Sequence, residues 1–273
     1  MSSSPQPQGE VLPTGHSSGP ATQPPRNQSG GQSRGRQILS APATYVLVGI
    51  NCAVFLWMVL HGVSPKEPTT LQLLHYGATN PDYILGAGQW WRLLTAIFVH
   101  VGLIHIATNM WCLWNLGLLG EPLLGPLGLA AVYVLTGVAG NLLSLCINVV
   151  FRDHESVGAG ASGAVFGIAG ILIVLLSNHK LPIPWSELKR LRRSVIQFAG
   201  LNLVIGLATV FTNIIRIDNF AHLGGFLSGL AIGVPLVPRM TSGRVRYLRR
   251  QKLTFAASAF SLALFGYWVS KLR

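Results

Sequence analysis

Three observations make this sequence an all-α membrane protein. Half of its 273 residues are hydrophobic, only 10% are charged, and the apolar residues gather in long blocks. A soluble chain of this size carries about a quarter charged residues, so the balance is wrong for a water-facing surface. Seven blocks, near 43–62, 102–120, 127–149, 161–178, 195–214, 219–237 and 254–271, are each long enough to approach the roughly 20 residues that cross a hydrocarbon core. Glycine occurs 31 times, which suits helices that approach one another closely in lipid.

The net charge of +12 invites a nucleic-acid reading, but its distribution argues for topology instead. With the N-terminus in the cytoplasm, the inner segments hold Arg26, Arg34, Arg36, Lys180, Lys189, Arg190, Arg192 and Arg193. They also hold Arg239, Arg244, Arg246, Arg249, Arg250 and Lys252. The outer segments keep Lys66, Arg92, Arg152, Arg216, Lys271 and Arg273. This excess of inner positive charge orients the first span, and seven spans then leave the C-terminus outside. The basic runs suit anionic lipid better than nucleic acid. Cys52, Cys112 and Cys146 lie in apolar blocks without zinc or redox spacing, and read as buried free thiols.

Residues 1–38 are rich in Ser, Gly, Pro and Gln and contain no apolar cluster, the signature of a disordered cytoplasmic tail. No signal-peptide core is legible there, though the acid-poor, Ser-rich composition also fits an organelle transit peptide. Between the first two spans, residues 63–101 form a long loop carrying Trp90, Trp91 and Arg92. Aromatics beside an Arg suit the outer membrane–water interface. The stretch 179–194 is Pro-punctuated, then basic and amphipathic, as in a solvated cytoplasmic connector. Residues 152–155 offer metal-ligating side chains, but no second cluster completes a site, so a hydrated turn is the reading.

Polar groups inside spans are costly and mark function by default. Here they are His105 and Asn109 in the second span, Ser162 in the fourth and His222 in the sixth, all spans running outside to inside. Ser162 precedes Lys180 by about 27 Å of helix, and His222 precedes Arg239 by about 26 Å. Both groups therefore fall at similar depth near the outer face. His105 and Asn109, four residues apart, share a helix face. His222, Gly225, Gly229 and Gly233 also share one, and Gly163 and Gly167 offer a matching small-residue surface on the fourth span. Pressing these two faces together brings Ser162 beside His222, the geometry a nucleophile and its base require.

A serine hydroxyl attacks a peptide carbonyl only when a neighbour takes its proton, which imidazole does near neutral pH. The oxyanion that forms needs donors aimed at it. Asn109, a His105 ring N–H and the Ser162 backbone N–H at a helix start are the candidates. The run Gly158-Ala-Gly-Ala-Ser-Gly163 lets the backbone enter the helix irregularly and leave such donors free. Asp218 lies one turn before His222, but its place in the outer loop leaves a Ser–His dyad without an acid. Taken singly, a Ser in a Gly-rich helix is ordinarily a packing residue. A lone membrane His is ordinarily a structural group or a proton relay. The pairing at one depth is what points to catalysis.

These residues resemble the rhomboid intramembrane serine proteases. The matching elements are Trp91-Arg92, His105-Ile-Ala-Thr-Asn109, Gly160-Ala-Ser-Gly163 and Ala221-His222-Leu-Gly-Gly225-Phe-Leu-Ser-Gly229, in the family's order. The resemblance implies a six-helix core at 39–240, with 241–273 forming a basic linker and one added C-terminal transmembrane helix. It also implies a Ser162–His222 catalytic dyad, with His105, Asn109 and the Ser162 N–H binding the oxyanion. Trp91, Arg92, His100, Gly160, Gly163, Phe166, Gly225 and Gly229 take supporting roles, His100 as a recurring structural His and Phe166 as an aromatic packing near His222.

The implied activity is hydrolysis of peptide bonds in or near transmembrane segments of other membrane proteins, through an acyl-enzyme. The implied substrates are helices that small or helix-breaking residues destabilise. No cofactor, metal or nucleotide is required, and the partners are transmembrane substrates and the bilayer, with no nucleic acid. A short tail suits a bacterial cytoplasmic membrane. The substrate, regulation and oligomeric state stay open. Two rivals use the same residues: an inactive rhomboid-like client binder, against which the retained Ser162 and His222 argue, and a transporter, which needs polar groups through the full depth.

Overall fold

The structure is a computed structural model and describes residues 41–179, 181, 183–210, 217–237 and 243–272. The predicted tail and the span-edge residues Lys180, Arg216 and Arg239 lie outside the described residues. Helix follows helix along the chain: α1 (Pro42–Leu60), α2 (Thr70–His75), a π-helical turn (Asp82–Gly86), α3 (Arg92–Thr95), α4 (Leu103–Leu124), α5 (Pro126–Val150), α6 (Ser162–Leu175), α7 (Trp185–Val210), α8 (Asn219–Leu236) and α9 (Arg244–Val269). Each of the seven predicted apolar blocks falls on one helix, the fifth block as far as the described residues reach. Four of the described helices, α1, α5, α8 and α9, are long and apolar enough to cross a membrane by length and composition. The protein is thus an all-α, multi-pass membrane protein.

The fourth block departs from expectation. The sequence predicts a span over 161–178, whereas α6 is 14 residues long, ending at Leu175. From Ser162 to Leu175 the helix therefore rises about 20 Å, and from His222 to Leu236 about 21 Å. Continuing the helix to the basic residues overstated both depths, but by similar amounts, because each chain leaves its helix before reaching the charge. The two helical rises still differ by only about 1 Å.

The core is built where α5, α6 and α8 meet, with Ile168, Ile171, Leu172 and Leu175 of α6 fully buried. Helix α1 joins it through polar anchors. Its first-turn N–H groups have no intrahelical acceptors. The Glu121 carboxylate of α4 supplies them, accepting from Ala43 N (2.8 Å), Thr44 N (2.8 Å) and Thr44 Oγ1 (2.7 Å). A negative charge at that helix end also opposes the positive pole of the α1 dipole. Further along, Asn51 Nδ2 donates to Tyr133 Oη of α5 at 2.9 Å. Leu47 and Met58 of α1 are buried as well, while Val46, Ile50, Leu56, Trp57 and Leu60 are exposed. Cys52, expected to be buried, is exposed there, while Cys112 and Cys146 are buried. A helix packed through one narrow face turns most of its apolar residues toward lipid.

Candidate active site

Ser162 is the first residue of α6, and the chain before it shows why the helix starts there. Thr79 and Gly158 form an antiparallel bridge, Thr79 N donating to Gly158 O at 2.8 Å and Gly158 N to Thr79 O at 3.1 Å. Gly160 N then donates to Ala96 O at 2.9 Å, and Ala161 N to His100 Nε2 at 3.4 Å. These outside partners hold residues 158–161 off the helical path. Gly160, with φ of +132°, takes a backbone conformation that a side chain rarely permits. No side chain caps α6, so its first N–H groups, Ser162 included, keep the orphan character of any helix start.

The loop between α1 and α4 that carries this bridge is held together from inside. Arg92 Nη1 donates to the carbonyls of Leu74 (2.7 Å) and Ala78 (2.9 Å), and Nε donates to Gln89 Oε1 (2.7 Å). Its guanidinium lies 4.5 Å from the Tyr83 ring centroid and 4.8 Å from that of Trp91. The sequence placed Arg92 among interfacial charges, but its side chain is buried while Trp91 is half exposed. A buried guanidinium is held by hydrogen-bonding its donors to acceptors, and the turn carbonyls provide them.

His105, at the start of α4, lies against Gly160. A Cβ on Gly160 would come within 2.6 Å of His105 Cε1 and 3.0 Å of Nε2, so this imidazole is two residues from Ser162. Its Nδ1 faces the Val101 N–H at 3.3 Å, and its ring lies 5.3 Å from that of the fully buried His100. Asn109, buried one turn further on, donates through Nδ2 to the His105 carbonyl at 2.9 Å.

His222 is brought to the same region by backbone contact between α6 and α8. A Cβ on Gly225 would fall inside the van der Waals shell of the Gly163 carbonyl oxygen, and one on Gly229 would do the same at Gly167. Two helices meet this closely only where neither has a side chain. The His222 ring stacks on Phe166 of α6, with centroids 4.4 Å apart and planes inclined by 13°. Its Nδ1 is buried and meets no hydrogen-bond partner among the described residues. Among the described residues no hydrogen bond joins the Ser162 hydroxyl to His222.

Sequence reasoning missed one participant in this arrangement. Asp218 was read as an outer-loop residue, yet it is the N-cap of α8, its Oδ1 accepting from Ala221 N at 2.9 Å. Its Oδ2 accepts from Ser144 Oγ of α5 at 2.6 Å. Burial pushes the Asp218 carboxyl above its ordinary range, against the hydrogen bonds from Ser144 and the backbone that favour the charged form. The capping position, an Asp directly before an apolar helical run, was the signal available in the sequence.

The Rhomboid domain family matches residues 87–239, more than half of the chain. This chain belongs to the rhomboid family. Among relatives, this rhomboid is 33% identical to the Rhomboid protease GluP of Bacillus subtilis (strain 168) over 197 residues, 70% of this chain and 35% of that protein. It is 31% identical to RHOMBOID-like protein 1 of Arabidopsis thaliana over 64% of this chain and 42% of the relative. It is 30% identical to Rhomboid-like protease 2 of Toxoplasma gondii over 68% and 62%. The rhomboid described here thus spans less than two thirds of each relative's own length.

Proposed function

We propose that this rhomboid is an intramembrane serine endopeptidase, with a six-helix catalytic core and α9 added after it. Ser162 is the nucleophile and His222 its base. The observation that carries this reading is the backbone-to-backbone contact of α6 and α8, which seats the His222 ring one turn of α6 from Ser162, on Phe166. In the reaction His222 accepts the Ser162 proton as Oγ attacks the scissile carbonyl, and returns it to the leaving amine. Water then hydrolyses the acyl-enzyme with the same base. The Ser162 N–H, the Asn109 amide and a His105 ring N–H are suited to hold the oxyanion, since a helix start and α4 converge on Gly160.

Among the described residues His222 Nδ1 has no partner, which supports a dyad rather than a triad. Substrates are transmembrane segments of other proteins, reached from the outer side of the bilayer, with the N-terminus cytoplasmic and the C-terminus outside. No metal or nucleotide takes part in this scheme. A bacterial cytoplasmic membrane fits the arrangement.

The test is reconstitution of the full chain in vesicles with a labelled single-span substrate carrying a helix-breaking residue. Ser162→Ala and His222→Ala are each expected to abolish cleavage. Asn109→Ala should lower turnover by about 10²-fold without abolishing it, because other donors remain. Cleavage that survives Ser162→Ala or His222→Ala overturns the assignment.

A further inference from the structure

Asp218 takes no part in the proposed chemistry, and its contacts go beyond those of a helix cap. One carboxylate oxygen takes the Ala221 N–H, as an N-cap does, while the other takes the Ser144 hydroxyl of a different helix at 2.6 Å. The Asp218 carbonyl also accepts from His222 N at 3.2 Å, so the same residue begins the helical turn that ends at the imidazole. A Cβ on Gly158 would stand 3.5 Å from Asp218 Oδ2, which puts the carboxylate beside the bridge leading to Ser162.

The turn between Asp218 and His222 is confined on its other sides. The Ala221 carbonyl oxygen lies so close to Gly140 of α5 that a Cβ there would overlap it. A Cβ on Gly163 of α6 would sit 3.2 Å from the same oxygen. Glycine contacts such as these fix how near α8 comes to α5 and α6. They do little to fix its rotation or its height, because smooth backbone surfaces slide. A carboxylate hydrogen-bonded to two elements at once sets both.

We infer that Asp218 is a positioning residue that sets the rotation and height of the first turn of α8, and through it the aim of the His222 ring at Ser162. This rests on the reading of His222 as the base. Asp218 has no hydrogen bond to the ring itself, so it acts through the backbone and not as a third catalytic acid. A displacement of about 1 Å in a catalytic group can cost on the order of 10²-fold in rate, which is the scale of effect at issue.

The experiment compares wild type, Ser162→Ala, Asp218→Ala, Asp218→Asn and Ser144→Ala as full-length protein in vesicles. For each, kcat and KM on the labelled single-span substrate are measured beside the thermal unfolding midpoint. Asparagine keeps an acceptor for Ala221 N and presents an N–H₂ to the Ser144 oxygen, so it preserves both contacts without the charge.

The expected result is a kcat lowered by about 10-fold or more in Asp218→Ala with KM within about twofold. Most of the activity returns in Asp218→Asn, and Ser144→Ala falls between. The inference is overturned if Asp218→Ala keeps wild-type kcat, or if its loss only follows the fraction of protein unfolded. It is equally overturned if Asp218→Asn loses as much as Asp218→Ala at an unchanged midpoint, since that outcome makes the charge itself the functional feature. Wild type no better than Ser162→Ala removes the proteolytic reading and this inference with it. An active wild type matched by Asp218→Ala removes this inference alone.

Discussion

The helix carrying His222 meets its neighbours in two opposite ways. Against α6, α8 packs backbone on backbone, Gly225 on Gly163 and Gly229 on Gly167, with no side chain between. Toward α9, contact depends on side chains near the helix ends. Arg250 donates to the Val237 carbonyl just past α8 at 3.1 Å. Tyr247 Oη and Gln251 Nε2 donate to Leu123 and Leu124 at the end of α4, at 3.1 and 2.8 Å. Further along α9, past these attachments, lie two apolar grooves of about 460 and 660 Å³, both lined by Leu135 and Leu262 and only the wider one by residues of α8. The α6 contact has one possible spacing, because hard backbone atoms define it. The α9 contact answers orphan carbonyls at helix ends and leaves the middle loosely filled. A reaction centre belongs on the first kind of interface, and the proposed dyad is there.

Substitutions can break or sharpen this contrast. The largest effect is expected from Gly225→Val, which drives a branched side chain into the Gly163 carbonyl. It should abolish activity and lower the unfolding midpoint sharply, since even modest overpacking costs about 1–3 kcal/mol. Gly229→Ala, one turn deeper, should lose about 1–3 kcal/mol on the same scale. Its residual activity, measured at a temperature where the variant stays folded, reports how far a separation of α6 and α8 reaches up to His222. A Gly229→Ala protein with wild-type midpoint and turnover would show that the close contact is dispensable.

Smaller effects are expected on the α9 side. Gln251→Leu removes one buried hydrogen bond to the Leu124 carbonyl and should cost about 1 kcal/mol in midpoint terms. Turnover per folded molecule should hold near wild type. If turnover instead collapses, the attachment of α9 to the end of α4 reaches the reaction centre and the two interfaces are not distinct in kind. Smallest of all should be Ala257→Leu in the wider groove, where open space receives the added atoms. A change within about 0.5 kcal/mol is expected by thermal unfolding.

Much of the architecture could be read before any coordinates. Apolar blocks of span length located the seven long helices. The four-residue spacing of Gly163 and Gly167 and of Gly225 and Gly229 anticipated which faces would meet. Where local pattern and long-range partners disagreed, the reading failed. The start of α6 was placed at 161 correctly to within a residue, yet its length was overestimated because hydropathy does not show where a helix stops hydrogen-bonding to itself. Arg92 looks like an interfacial charge in sequence, and only the folded loop reveals that Leu74 and Ala78 turn their carbonyls toward it. Glu121 follows the second apolar block with nothing nearby in sequence to explain it, yet it caps a helix that begins some 80 residues earlier.

By itself, then, the sequence determined that the chain is a set of apolar membrane helices, and which polar groups those helices carry. Those properties follow from composition and helical rise, which are local. The meeting of Gly160 with His105, the stack of His222 on Phe166 and the clasp of Asp218 on Ser144 were decided only by tertiary structure. Each joins residues from separate helices through directional contacts. A periodic pattern fixes the face a residue occupies, but the atom it touches depends on how closely and at what rotation a second helix is allowed to approach.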